Sequence, residues 1–313
     1  ASDVYKRQGP ASAGPSRPCG DDGAGGELPA RGGVPGCRTR GLPRDLRPGL
    51  SDLDRLHPRV PLRHPQQKAA FAQYLDAAVD IARGDLDPVV TACRDLGVFA
   101  YLGVAERSES RGSIYCSLVA IDPDRGVLSV HRKLKPTFGE RLVWADGDGN
   151  GLRVHEHHGA RLSGLNCWEN WMPLARAAMW AQGAQIHVAT WPGSRSTALD
   201  ASRFAAREGR VFVVSSGAVL RADHLPDDFA LRDEMLAEGD RYNSGGAMIV
   251  APTGEIIAEA EPHEETIVVA DLDLELLRRE RHNFDPTGHY SRPDVLRLEV
   301  DRTRRTPARF TDG

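Results

Sequence analysis

The chain has 313 residues, enough to bury a substantial core as one large domain or two ordinary ones. Its 40 Lys and Arg against 44 Asp and Glu leave a formal net charge of -4, so nucleic acid or an anionic membrane is excluded as the main partner. No apolar run approaches the roughly 18 residues needed to span a bilayer, and the first residues lack the apolar core of a signal peptide; a cytoplasmic enzyme or binding protein is expected.

Residues 1–64 differ in kind from the rest of the chain, holding 20 of its 53 Gly and Pro residues. With no alternating or 3.6-residue apolar period, this stretch cannot build elements that bury a core. It is expected to be an irregular, disordered extension, or a segment read out of frame from GC-rich DNA, which yields Gly, Ala, Arg and Pro.

From residue 65 the pattern becomes that of a folded domain, expected to run to about residue 298 with a polar tail over 299–313. Ala70, Phe71, Tyr74, Leu75, Ala78, Val79 and Ala82 recur at three- and four-residue spacing, predicting a helix over 66–83 that stops at Gly84. A second helix is expected over 87–96, with Pro88 in its first turn and Cys93 on its buried side. The period then becomes extended: 98–105, 113–122 and 126–133 read as strands, with Cys116 as core. A further pair is expected over 152–155 and 160–166, turned by the His155-Glu156-His157-His158-Gly159 corner. Those histidines have no carboxylate or cysteine partner at ligand spacing, so a solvated turn is preferred to a metal site. Helices over 173–182, 197–208 and 274–281 and strands over 185–190, 211–216, 247–251, 256–260 and 266–271 complete the alternation, around a long irregular connection at 221–243. The class is α/β with layered sheets.

Five cysteines, at 19, 37, 93, 116 and 167, show neither disulfide nor zinc spacing. Cys167 is set apart because it follows an apolar strand and precedes a helix. There a sulfur meets free backbone N–H groups, which lower a thiol pKa and can hold developing negative charge. Alone, such a cysteine is more often structural than catalytic. Its odds improve with His131-Arg132-Lys133-Leu134-Lys135-Pro136-Thr137, where two adjacent basic residues end an apolar strand and require something anionic to meet them. Lys133 could stabilise a tetrahedral anion, and Glu140 could orient it or share its proton.

Lys133 within this run, Glu140-Arg141, the GLNCWENWMPLAR segment around Cys167 and the late GHYSRPDV segment together resemble the nitrilase branch of the nitrilase/amidase superfamily, over roughly residues 65–298 and in the same order. The resemblance implies a four-layer α-β-β-α sandwich, a Glu-Lys-Cys triad with Cys167 as nucleophile and Lys133 as its lysine, Glu140 as an assisting glutamate, and no metal or organic cofactor. The substrate it implies is a small organic nitrile, hydrolysed to acid and ammonia through a thioimidate and a thioester. Trp168 and Trp191 are expected as pocket walls, core packing being an equal alternative for Trp191. An amidase or a cyanide-converting enzyme on the same fold is the nearest alternative, an inactive structural homologue the more distant one. Family members commonly assemble, so a homo-oligomer is expected.

One member of the pattern is absent: no Phe-Pro-Glu-like motif precedes Lys133, and Glu27 lies in unlike surroundings. One permitted set of codons for residues 37–61, chosen with the family in view and read out of phase, gives AGLVVFPETFVPGYPTWIDSTRGFP. Its glutamate codon spans Arg44 and Asp45. The first strand and helix are therefore expected to be missing, and the 313-residue chain is expected to turn over nitriles negligibly.

Overall fold

A computed structural model describes residues 64–306 except 110, 111, 238 and 240, together with 308 and 311. The irregular or out-of-frame segment and the Arg44–Asp45 position lie outside these described residues.

Two helices open the described chain, α1 (Pro65–Ala77) and α2 (Asp87–Leu96). Strands β1 (Ala100–Arg107), β2 (Ile114–Asp122) and β3 (Gly126–Arg132) follow as an antiparallel meander in that order. Next come β4 (His155–His157), β5 (Ala160–Asn166), α3 (Pro173–Ala181), β6 (Ile186–Trp191), α4 (Arg195–Gly209) and β7 (Phe212–Gly217). A small pair, β8 (Val219–Arg221) and β9 (Arg241–Ser244), flanks α5 (Arg232–Ala237). The chain continues through β10 (Met248–Val250), β11 (Ile256–Glu259) and α6 (Leu274–Glu280). The second sheet has the order β11-β10-β7-β6-β5-β4, with β5, β6 and β7 parallel and joined through α3 and α4.

Residue alternation sorts these elements into four layers. Leu162, Ile186 and Phe212 of the six-stranded sheet share a core with Phe99 and Ala120 of the meander, so the sheets pack face to face. Leu165, Ala189 and Val213 point the other way, onto Ala175, Met179, Ala198 and Ala205 of α3 and α4. On the outer face of the meander, Val89 and Cys93 of α2 meet Val104, Val119 and Ile121. Each such buried aliphatic side chain contributes roughly 1.5–3 kcal/mol. The sheets approach closely at Gly164, where an added Cβ would lie 2.6 Å from Leu118 Cδ2 and 3.3 Å from Tyr101 Cε1.

The α-β-β-α layering matches the expectation, and three local readings are corrected. The first helix stops at Ala77, because Ala78 turns extended and Val79 joins β1 instead, exchanging hydrogen bonds of 2.8 Å with Ala105 and Arg107. The histidine corner contributes a strand: His155–His157 pairs with Ala160–Leu162, and the turn shrinks to His158 and Gly159. Residues 266–271 place Val268 and Ala270 against the inter-sheet core but form no strand among the described residues. Among the described residues no helix is long and apolar enough to cross a membrane.

Candidate active site

Lys133 follows the last residue of β3, and its N–H donates to Cys116 O at 2.8 Å, extending the ladder one step. The two basic residues there part company, as neighbours on a strand must. Arg132 pairs with Glu106 of β1 at 2.6 Å, while Lys133 turns inward and is 1% exposed. Its ammonium donates to Glu140 Oε2 and to Thr137 Oγ1 (3.2 Å), and stands 5.9 Å from the centre of the Trp144 ring. Glu140 is fixed by the 3-10 turn Phe138–Leu142, where its carboxylate also accepts the Thr137 N–H at 2.6 Å. Burial opposes the charge on Lys133, but Cys167, Cys116 and Glu140 outweigh it and raise the lysine's pKa.

Cys167 begins the 3-10 turn Cys167–Trp171 directly after β5, with φ of 54°. A side chain rarely occupies this left-handed region, and the surroundings must hold it there. Asn170 supplies part of that hold, its Nδ2 donating to Cys167 O (2.9 Å) and to Leu165 O (3.3 Å). Asn170 is itself held: His187 Nε2 donates to its Oδ1 at 2.9 Å and Arg176 donates to its carbonyl at 2.6 Å. Ser163 Oγ completes the chain on His187 Nδ1 at 2.8 Å. Burial pushes the His187 pKa down to about 3, so the ring stays neutral and this tautomer is kept.

Burial also drives the Cys167 thiol up to about 11, although Lys133 and the Trp168 N–H both act to lower it. The turn amide acts in the expected direction, but burial outweighs it. A proton acceptor is needed near neutral pH.

Lys133, Glu140 and Cys167 line one cavity, with Tyr74, Trp144 and Trp191 as aromatic walls and Gly103 to Ala105 of β1 closing a side. Trp168 does not line it: the ring is about half exposed and packs on Trp171 at 6.5 Å. Cys116, expected as core, belongs to the cavity wall, where burial pushes its thiol far above the normal range. Asn166, Thr190 and Tyr74 were not anticipated as wall residues. Thr190 Oγ1 donates to Asn166 Oδ1 at 2.7 Å, and the buried Asn166 Nδ2 and Trp191 Nε1 have no partner among the described residues. Among the described residues Glu140 is the one carboxylate in the lining, and no cluster of three or more His, Cys, Asp or Glu residues could hold a metal.

The model of the carbon-nitrogen hydrolase family matches residues 62–282. A nitrilase of Bradyrhizobium diazoefficiens is 37% identical over 245 residues, covering 77% of this chain and 74% of the relative. An aliphatic nitrilase of Sinorhizobium fredii is 36% identical over 241 residues, 76% of each chain. Among solved structures, a carbon-nitrogen hydrolase from Helicobacter pylori superposes with a TM-score of 0.56 at 19% identity, covering 81% of this chain and 79% of that one, a likeness of fold.

Proposed function

The chain belongs to the carbon-nitrogen hydrolase family and is a nitrilase-type enzyme, and on that premise we propose that Cys167 is its nucleophile, with Lys133 and Glu140 acting beside it. The observation that carries this reading is the convergence of all three on one cavity, with the cysteine backbone held at a positive φ.

The Cys167 thiolate attacks the nitrile carbon, and the nitrile nitrogen takes a proton to give a thioimidate. Water adds to that carbon, and the Lys133 ammonium stabilises the tetrahedral centre. Ammonia leaves, a thioester remains, and a second water releases the carboxylic acid and regenerates the thiol. Glu140 keeps the ammonium oriented through its bond to Nζ. Its Oε2 accepts from both Lys133 and the Thr137 N–H, which fixes the carboxylate against the lysine. We assign the base that activates the buried thiol to the glutamate that one permitted out-of-phase reading of residues 37–61 would supply across Arg44 and Asp45.

The test is product analysis on a chain with its frame restored. Acid and ammonia in equal amounts from an organic nitrile, lost in Cys167→Ala, are expected. Turnover unaffected by Cys167→Ala would overturn the nucleophile, and amide as sole product would move the enzyme to another branch of the family.

A further inference from the structure

The lysine and the cysteine come from different sheets, and what joins their segments is the side chain of Glu169. Glu169 Oε1 accepts the N–H of Leu134, the residue after Lys133, at 2.6 Å. Oε2 accepts the N–H of Asn166, the residue before Cys167, at 2.9 Å. His131, two residues before Lys133, donates from Nε2 to the same carboxylate at 3.0 and 3.2 Å. Glu169 is 1% exposed and His131 3%. Burial opposes the carboxylate's charge, but His131 and the two amides outweigh it and lower its pKa. One buried anion thus ties the backbone on the far side of the lysine to the backbone just before the nucleophile.

We propose that Glu169, supported by His131, is a positioning residue that sets the separation of Lys133 from Cys167 by bracing the Leu134 and Asn166 amides. This inference rests on the Lys133–Cys167 reading above. Glu169 does not line the cavity, and it acts through the two backbones. The tie matters because Lys133 is the group that restrains a thiol which burial drives upward, and Coulomb attraction falls as the ammonium moves away.

The direction of the effect separates bracing from direct electrostatics. The groups acting on the Cys167 thiol are Lys133, Glu140, Glu169 and the Trp168 amide, and the Glu169 charge by itself raises its pKa. Neutralising that charge in a rigid site would make the thiolate easier to form. Loosening the brace lets Lys133 drift and makes it harder.

Iodoacetamide alkylation of the full 313-residue chain, located at Cys167 by peptide mass mapping and followed across pH, reads this without requiring turnover, because only the thiolate reacts. Lys133→Ala is expected to slow labelling about tenfold, the equivalent of one unit in thiol pKa. Glu169→Gln, isosteric but unable to accept from both amides, is expected to slow it at least about threefold with its pH profile displaced upward. The double variant should label within about twofold of Lys133→Ala alone, since effects that share one route do not add. Glu169→Gln labelling at the wild-type rate or faster, or a double variant showing the product of both single effects, overturns the brace. Lys133→Ala labelling at the wild-type rate instead sinks the lysine–cysteine assignment on which it rests. Circular dichroism checks folding. Should Glu169→Gln not fold, Glu169→Asp, which keeps the charge but is too short to reach both amides, decides by the same criterion: slowing upholds the brace, and unchanged or faster labelling overturns it.

Discussion

At the scale of single residues, the site is governed by burial more than by local dipoles. Two thiols share the cavity wall, and both are pushed up by desolvation, Cys167 to about 11 and Cys116 further, because the buried Cys116 gains less from Lys133 than it loses by leaving water. Alkylation at pH 8 should therefore modify Cys167 well ahead of Cys116, and a mass map showing Cys116 labelled first would contradict this order. His187 follows the same physics with the opposite sign. Its pKa falls from an ordinary 6.5 to about 3 on folding, so the folded chain binds that proton less readily than the unfolded one. The resulting stability is fully present above pH 6.5 and is lost as pH falls toward 3, at up to about 1.4 kcal/mol per pH unit for one proton. Urea titrations between pH 6.5 and 3 should show this decline, and His187→Asn should flatten it whatever its effect on overall stability. What the sequence made legible here was chemical identity: the strand-end cysteine and the basic pair were singled out from residues alone. Illegible were Tyr74, Asn166 and Cys116, since membership of a cavity wall depends on which sheet faces which, and no local pattern encodes that.

At the scale of elements, α2, β2, β3 and α3 lie within a residue or so of their sequence-based bounds, because each is bracketed by Pro, Gly or a tight turn that acts locally. Expectations departed from the structure where tertiary contacts chose between conformations the local pattern allows. Val79 satisfies the helical period of α1, yet it is fully buried as an added partner to β1. Residues 266–271 alternate as a strand does, but Ile267 and Val269 are more than half exposed, and the segment packs one side without entering a ladder. A close contact between the two sheets is likewise invisible to periodicity. Gly164, in the middle of β5, lets Leu118 of β2 and Tyr101 of β1 close onto its Cα. Gly164→Ala would force Leu118 from its rotamer or part the two sheets, at about 1–3 kcal/mol for an overpacked core. Urea denaturation should register that loss, whereas a neutral result would mean that the sheet-to-sheet seam yields freely. Since Cys167 lies three residues further along the chain, directly after the end of β5, the variant should also slow Cys167 alkylation.

At the scale of the molecule, three strands face six. Among the described residues the outer edge of β1 is partnered only by the bridge at Val79, although the interior of that sheet is as well packed as the other. The same strand supplies Gly103 to Ala105 to the cavity wall, where Glu140, its Oε2 held by Lys133 and Thr137, is the one carboxylate among the described lining residues. Among the described residues the sparsely partnered edge and part of the cavity wall thus belong to the same strand. A single element running beside β1, a strand ending in glutamate, would answer both needs, and one permitted codon choice for residues 37–61, read out of phase, gives a strand followed by Phe-Pro-Glu. Edge strands left open invite pairing between chains, while a closed edge adds cooperative burial. Restoring the frame should therefore change two independent readouts together. Nitrile turnover should rise by about 10²–10⁴-fold, the usual worth of a positioned general base, and the restored chain should remain soluble at concentrations where the 313-residue chain aggregates. Replacing the restored glutamate by glutamine separates the two: turnover should collapse while solubility stays. If the glutamine variant keeps full activity, the base lies elsewhere, and if the frame-restored chain aggregates as readily as the original, the open edge of β1 is not what that segment covers.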